Sequence, residues 1–485
     1  MNYRVIFRVL GLLIAATSAA MILPVAVALF EGGSDWRYLT IVMLAGTGVG
    51  TGLAWLLRGS ADLEVREGFV IVTLGWLSAT LVASLPFYLH GAIGSFTDAF
   101  FESMSGFTTT GSTILTDIEA LPRGLALWRC QIQWLGGMGI VVLSLAILPI
   151  LGVGGMQLFQ AEAPGPSPDR LTPRIKETAR LLWGAYCILS LAEVVALMIC
   201  GMGPYDALCH TFTTMATGGF SPKAASVGHY SSAAIDWVIT FFMFAAGVNF
   251  SLHFFAVRGR GPRGLRRYWR DHEFRTYLAV ALGAIALVML SNWRTVGYGL
   301  ADNLRYSSFQ VVSILTTTGF ATADYEHWSR FAQLLLLMLM FVGGCAGSTG
   351  GGMKNVRVLL LTKHAWQELR KLLHPRAVYV LRFNRQPVAP QVVTNILGFF
   401  LLLVMVAVAA TLAMTAMGMD LVSAFGSVAA TLNNVGPGVG TVGPADNFAH
   451  VPVLGKWVLV ACMLLGRLEL YTVLVLLTPG LWRRT

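Results

Sequence analysis

Thr109-Thr110-Gly111-Ser112-Thr113 follows a short amphipathic segment and precedes a long apolar one, and the same order returns three more times. The counterparts are Ala216-Thr217-Gly218-Gly219-Phe220, Thr317-Thr318-Gly319-Phe320-Ala321 and Asn434-Val435-Gly436-Pro437-Gly438. Aligned on Gly111, Gly218, Gly319 and Gly436, the hairpins stand 107, 101 and 117 residues apart. That period is too long for a solenoid and suits a unit of two membrane crossings joined by a re-entrant loop. A unit that crosses twice returns to its starting side, so all four copies share one orientation and their loops can meet on one axis. The expected fold is an all-α membrane protein, with four pseudo-symmetric helix–pore loop–helix repeats around one pore and an extra N-terminal helix pair.

The flanking sequence supports this class. Of 485 residues, 55% are hydrophobic and only 12% charged, and the mean hydropathy is +0.67. A soluble chain of this size needs more polar surface. Apolar runs of about 20 residues, long enough for a hydrocarbon core of roughly 30 Å, fall at 9–30, 38–57, 68–90, 125–151, 178–201, 233–257, 276–293, 331–361, 391–417 and 453–480. These ten expected spans group into an N-terminal pair at 1–60 and units at 65–160, 170–270, 275–385 and 388–485. The Pro-rich stretch Ala163-Pro164-Gly165-Pro166-Ser167-Pro168 and the Arg-rich stretch Arg258-Gly259-Arg260-Gly261-Pro262-Arg263 cannot continue a helix and read as linkers. Arg4 and Arg8 precede the first run as in a signal peptide, but the run exceeds the usual apolar region of about 7–15 residues. An uncleaved first helix is therefore expected. The six cysteines show no paired spacing and read as small buried hydrophobes.

The net charge of +10 would suit a nucleic-acid partner, but its distribution excludes one. The densest basic runs, 258–275 and 354–385, fall on the same side as the N-terminus, whereas Asp98, Glu102, Asp117, Glu119, Asp302, Asp324 and Glu326 fall opposite. This is the positive-inside pattern, with both termini cytoplasmic and the basic loops facing anionic membrane lipids. The loop bearing Arg263, Arg266 and Arg267 also suits docking of a cytosolic subunit.

Irregular backbone at membrane depth is tolerated where it is surrounded by protein or lines a watery cavity. Backbone carbonyls can replace an ion's hydration shell, and glycine adopts the required dihedrals at least cost. Asp98, Asp206, Asp302 and Asp420 lie 12 to 17 residues before their hairpin glycines, as expected of helix caps. Each short helix would then aim its partially negative C-terminus at its hairpin. No ring of carboxylates favours a divalent ion. These residues alone indicate a monovalent-cation pore, and the fourth hairpin, with Asn and Val in place of Thr, weakens any strict fourfold symmetry.

Residues 343–352 hold six glycines plus Ser348 and Thr349 inside an apolar run. Each glycine costs about 1 kcal/mol relative to alanine in a helix, so the run should break there, as a movable loop or as a close-packing site. Gly352-Met353-Lys354 lacks the Gly-Lys-Ser/Thr ending of a nucleotide loop. Arg467 lies 14 residues into the last run, where insertion costs at least about 2.5–3.5 kcal/mol. It should face a watery path or a carboxylate; Glu469 is near in sequence but on another face. Glu193 reads as a packed, hydrogen-bonded side chain, and Gly136-Gly137-Met138-Gly139 as a hinge or a packing site.

Four stretches carry a family likeness: Ser105-Gly106-Phe107-Thr108-Thr109-Thr110-Gly111-Ser112-Thr113, Met215-Ala216-Thr217-Gly218-Gly219-Phe220-Ser221-Pro222, Leu315-Thr316-Thr317-Thr318-Gly319-Phe320 and Gly343-Gly344-Cys345-Ala346-Gly347-Ser348-Thr349-Gly350-Gly351-Gly352-Met353-Lys354. Over essentially its whole length the chain resembles the Trk/Ktr/HKT superfamily of potassium translocation subunits, with the leading helix pair of the TrkH type. The resemblance implies K+ as the transported ion and filter oxygens from Thr110, Gly111, Thr217, Gly218, Thr318, Gly319, Val435 and Gly436. It implies a gate built from Gly343, Gly344, Gly347, Ser348, Thr349, Gly350, Gly351 and Gly352 with Arg467. It also implies a bacterial inner-membrane homodimer controlled by a cytosolic nucleotide-binding (TrkA-like) subunit, with no nucleotide on this chain. The rival reading is a potassium symporter coupled to protons or sodium, for which Arg467, Glu469 and Glu193 are the ionisable candidates. No metal-spaced cluster or nucleophile–base pairing stands out, so an enzyme is not expected.

Overall fold

The computed structural model describes residues 1–58, 65–146, 171–258 and 262–482. The Pro-rich linker at 163–168, residues 147–151 of the fourth expected span and residues 259–261 of the Arg-rich linker lie outside the described residues.

Helices Tyr3–Ala19 and Ile22–Glu31 make one apolar span of 29 residues beside helix Asp35–Leu56. Small residues set this contact. A Cβ on Gly11 would stand 2.7 Å from the Gly50 carbonyl, and one on Gly50 would stand 2.5 Å from the Gly11 carbonyl. The leading run is thus built into the fold through Ile6, Leu10 and Ala15.

Each following unit has a long helix, a short helix and a hairpin, then a second long helix. In the first these are Val65–His90, Phe96–Phe107 and Arg123–Ala146; in the second, Leu171–Ile199, Pro204–Met215 and Ala233–Ala246, continued by Phe250–Arg258. The third has His272–Thr295, Leu300–Leu315 and Arg330–Val342, continued by Asn355–Leu373; the fourth has Pro390–Ala416, Leu421–Leu432 and Val453–Arg467, continued by Leu470–Leu474.

The described helices do not form ten straight spans. Six are long and apolar enough to cross a membrane, or up to eight if each sharply bent pair is one span. Bends of 100° after Ala246 and 115° after Arg467 interrupt runs that read as continuous, because hydropathy averaging is blind to a local change of direction. Asn249, whose side chain accepts from the Ser251 N–H, restarts the helix after the first bend; Glu469, at φ 59°, marks the second. In the third unit the glycine-rich stretch separates Val342 from Asn355, and the continuing helix is amphipathic. Helix Arg123–Ala146 is the described part of the fourth expected span and carries Arg129, Gln131 and Gln133 along it.

Further expectations are refined. Only Asp420 caps its short helix, accepting from Ser423 N at 3.0 Å; Asp98, Asp206 and Asp302 lie within the first turn, where a negative charge still opposes the dipole. Gly136 and Gly137 stay inside a continuous helix and serve packing: a Cβ on Gly136 would reach 1.9 Å from the Phe107 carbonyl, and one on Gly137 would reach 2.8 Å from Ala216 Cα. Gly466 meets the Leu432 carbonyl likewise, at 2.0 Å. Outside the helices, Arg382–Phe383 pairs antiparallel with Gln386–Pro387, a minor addition to the expected all-α fold. Its Asn384 bonds Asp271 and the His272 N–H, fixing that turn to the start of helix His272–Thr295. All six cysteines are free; Cys187 is exposed rather than buried.

Candidate ion pathway

The four short helices end in one way. Thr109, Thr217, Thr317 and Asn434 take left-handed φ values of 51°, 52°, 60° and 54°. The next N–H then returns five residues: Thr110 to Ser105 O, Gly218 to Thr213 O, Thr318 to Ser313 O and Val435 to Ala430 O, each 2.8 Å. This is the Schellman termination, usually made by glycine. Left-handed backbone costs an ordinary residue about 1–2 kcal/mol, and threonine bears that cost three times. Such strain persists only where the surroundings over-determine it. Two residues beyond each Thr or Asn comes a left-handed glycine: Gly111, Gly219, Gly319 and Gly436. The second hairpin is therefore offset by one from the alignment on Gly218. Gly219 is the equivalent of Gly111, and Gly218 the equivalent of Thr110.

Those glycines close a ring. A Cβ on Gly111 would stand 2.2 Å from Gly218 O, on Gly219 2.0 Å from Thr318 O, on Gly319 2.0 Å from Val435 O, and on Gly436 2.8 Å from Thr110 O. Each hairpin thus presses its glycine onto the equivalent carbonyl of the next, and the fourth returns to the first. These contacts bring the four turns together around one centre. Thr108 and Thr110 join their hydroxyls at 2.7 Å, as do Thr316 and Thr318. The other two hairpins differ: Asn434 Nδ2 donates to Thr110 Oγ1 at 2.9 Å, and Gln133 Nε2 donates to Gly218 O at 2.7 Å. The Gly218 carbonyl is therefore partly engaged by the framework, with its second lone pair remaining.

On one side of the ring, the loop between Val342 and Asn355 covers the short-helix C-termini, whose last carbonyls have no partner within the helix. Thr349 Oγ1 donates to Met215 O at 3.0 Å, Gly351 N to Thr317 Oγ1 at 2.6 Å, and Gly352 N to Asn433 O at 3.0 Å. The loop thereby touches units two, three and four. Gly343, Gly347, Gly352 and Lys354 have left-handed φ, and Lys354 Nζ donates back to Gly350 O. Gly344 and Gly350 pack against the backbone of Gly247 and Thr316, and Ser348 bonds Cys345 O. Arg467, 3% exposed, donates from Nη1 to Thr349 O at 2.8 Å. Glu469 pairs instead with Arg357, whose Nη2 lies 2.5 Å from it. On the opposite side, Glu326 accepts from Gly440 N at 2.7 Å; burial pushes its carboxyl above the ordinary value, against the pull of that N–H.

The chain matches the family model described as TrkH, a cation transport protein, over residues 40–481. It belongs to the TrkH family. Over 487 residues and the full length of both chains it is 46% identical to the Trk system potassium uptake protein TrkH of Salmonella typhimurium. It is 35% identical to the Trk system potassium uptake protein TrkG of Escherichia coli over 99% of each chain. The crystal structure of the potassium transporter TrkH from Vibrio parahaemolyticus superposes with a TM-score of 0.92 at 42% identity, covering both chains fully. The TrkH family is one of transport subunits, not of enzymes.

Several residues of this TrkH-family site escaped the sequence reading. Arg129 and Glu102 form a buried ion pair at 2.6 Å, and Gln133 brackets the second hairpin by also accepting from Phe220 N. Arg129 and Gln133 in an apolar helix were the available signal. Lys354 and Arg357, at the end of the glycine-rich stretch, read only as part of a basic run. Of the three docking arginines, Arg266 and Arg267 are exposed on helix Pro262–Arg270, and Arg267 lies over the Phe255 ring; the Arg263 side chain lies outside the described residues.

Proposed function

We propose that this chain takes up K+ across a bacterial inner membrane, as a channel-like subunit whose path runs through the ring of four hairpins. The closure of that ring, glycine onto carbonyl four times over, is the observation that carries the reading. Oxygens of Thr110, Gly111, Thr217, Gly218, Thr318, Gly319, Val435 and Gly436 would line the filter, with Gly219 supplying the left-handed turn of the second hairpin. The four short-helix C-termini turn their partial negative charge toward it. The loop of Gly343, Gly344, Gly347, Ser348, Thr349 and Gly350 to Gly352 closes the path from below, and Arg467 holds it shut through the Thr349 carbonyl. The names of the relatives as potassium uptake proteins support the choice of ion.

Control comes from outside the chain. A cytosolic nucleotide-binding subunit of the TrkA type docks on the basic face that carries Arg263, Arg266 and Arg267, and two copies of this chain assemble as a homodimer with N- and C-termini in the cytoplasm. The remaining basic residues face anionic lipid headgroups.

Coupling to protons or sodium is the second reading. Glu193, a fully buried carboxyl beside Thr214, is the observation in its favour. Reversal potentials in planar bilayers separate the two. A pore gives a reversal potential that follows the K+ gradient alone; a shift with pH or with a Na+ gradient gives the symporter. The same bilayers report docking: with Arg266→Ala and Arg267→Ala combined, the response to added cytosolic subunit should need a higher subunit concentration. An unchanged concentration dependence would leave those arginines as topology determinants.

A further inference from the structure

Three of the four junctions between neighbouring hairpins are tied directly. Gly228 N donates to Ala321 O at 3.1 Å between the second and third units. Tyr325 Oη donates to Gly438 O at 2.6 Å between the third and fourth. Ser112 Oγ donates to Gly436 O at 2.9 Å, and Phe448 N to Thr113 O at 2.8 Å, between the fourth and first. Among the described residues, no direct hydrogen bond joins the first hairpin to the second. That junction is bridged by Arg129 and Glu102, which are 2% and 0% exposed.

Glu102 grips the first hairpin, accepting from Thr113 Oγ1 at 2.9 Å and from Ile114 N at 2.9 Å. Arg129 Nε donates to Glu102 Oε1 at 2.6 Å, and its Nη1 donates to Ser221 O, just after the second hairpin, at 3.0 Å. The guanidinium lies 3.5 Å from the centre of the Phe220 ring. A planar fork can hold a carboxylate, a carbonyl and a ring face together; an ammonium cannot. One turn on, Gln133 lies on the same helix face and holds Gly218 O and Phe220 N.

We propose that Arg129 and Glu102 are positioning residues that set the spacing between the first and second hairpins, and through it the discrimination between K+ and the smaller Na+. The inference rests on the filter reading above. Neither side chain touches the ion. Their effect comes from fixing Phe220 and Ser221 at the end of the second hairpin against Thr113 and Ile114 at the end of the first, so that the two hairpins cannot draw together around sodium.

Two variants test this. Arg129→Lys keeps the charge beside Glu102 but loses the bond to Ser221 O and the stacking on Phe220. Arg129→Met with Glu102→Leu removes both charges and leaves neither buried alone, an exchange that is often neutral or stabilising. Both should fold, judged by monodispersity and thermal unfolding, and both should lower the K+/Na+ permeability ratio about tenfold, as loss of a charge-assisted bond would give. A purely structural pair would instead show its loss in stability, with the ratio of the double variant unchanged. An unchanged ratio in both folded variants, while Gly319→Ala lowers it, overturns the positioning role and leaves the filter reading in place. If Gly319→Ala also leaves the ratio unchanged, both readings fall together.

Discussion

Gly319→Ala is expected to collapse K+ over Na+ discrimination while leaving a folded, monodisperse protein. The methyl group would lie 2.0 Å from the Val435 carbonyl and 2.7 Å from Pro437 Cδ, inside any allowed contact. The glycine also has a φ of 83°, where alanine carries an added penalty of about 1–2 kcal/mol. Overpacking costs typically about 1–3 kcal/mol, and the neighbour here is backbone that has no rotamer to change. The hairpin must therefore move, and with it a carbonyl ascribed to the ion path. If about 3 kcal/mol of differential ion binding is lost, the permeability ratio falls roughly 100-fold. Gly111→Ala, at 2.2 Å from Gly218 O, should act alike. Gly283→Ala is the matched control: it lies in helix His272–Thr295 with open space around it, and alanine there should be neutral or stabilising by up to about 1 kcal/mol. Bi-ionic reversal potentials give the ratio, and an unaltered value in folded Gly319→Ala would remove the filter assignment.

The second large effect concerns closure. Arg467→Ala should raise basal K+ flux about ten- to a hundredfold in proteoliposomes without any partner. The bond from Nη1 to Thr349 O is charge-assisted, a class that contributes about 1.5–3 kcal/mol. Removing it shifts an open–closed equilibrium by the corresponding factor. A fixed positive charge also repels the permeating ion, by about 4 kcal/mol at roughly 4 Å for an effective dielectric constant near 20. Both effects act in the same direction. Arg467→Lys separates them, because it retains charge and loses the planar donor; its flux should fall between that of the parent and that of the alanine variant. Basal flux unchanged in folded Arg467→Ala would refute the role given to this side chain.

The sequence alone revealed the elements that repeat and concealed those that exist only through contact between units. Four Gly-containing hairpins in register, and a cluster of glycines within an apolar run, were visible because both violate helix propensity in ways composition exposes. The register of the second hairpin was hidden by its own composition: Gly218 and Gly219 are adjacent, and only the φ of 75° at Gly219 distinguishes them. The bends after Ala246 and Arg467 were invisible because the apolar character runs through both. Glu102 read only as an exterior acid, and Arg129 drew no attention in the sequence. They are 27 residues apart and meet only when the short helix folds back against helix Arg123–Ala146. Arg467 was conspicuous by its cost, yet its partner is a backbone carbonyl, which no sequence pattern signals. The same holds for the ring itself, which is built of main-chain atoms whose identities are the same for every residue.

Anomalous scattering from crystals grown in Rb+ or Tl+ in place of K+ would locate the ion within the four-hairpin ring. A peak is expected on the axis encircled by Thr110, Gly218, Thr318 and Val435, bordered by all four hairpins. No peak within that ring, with ordered heavy-ion density elsewhere along the chain, would contradict it.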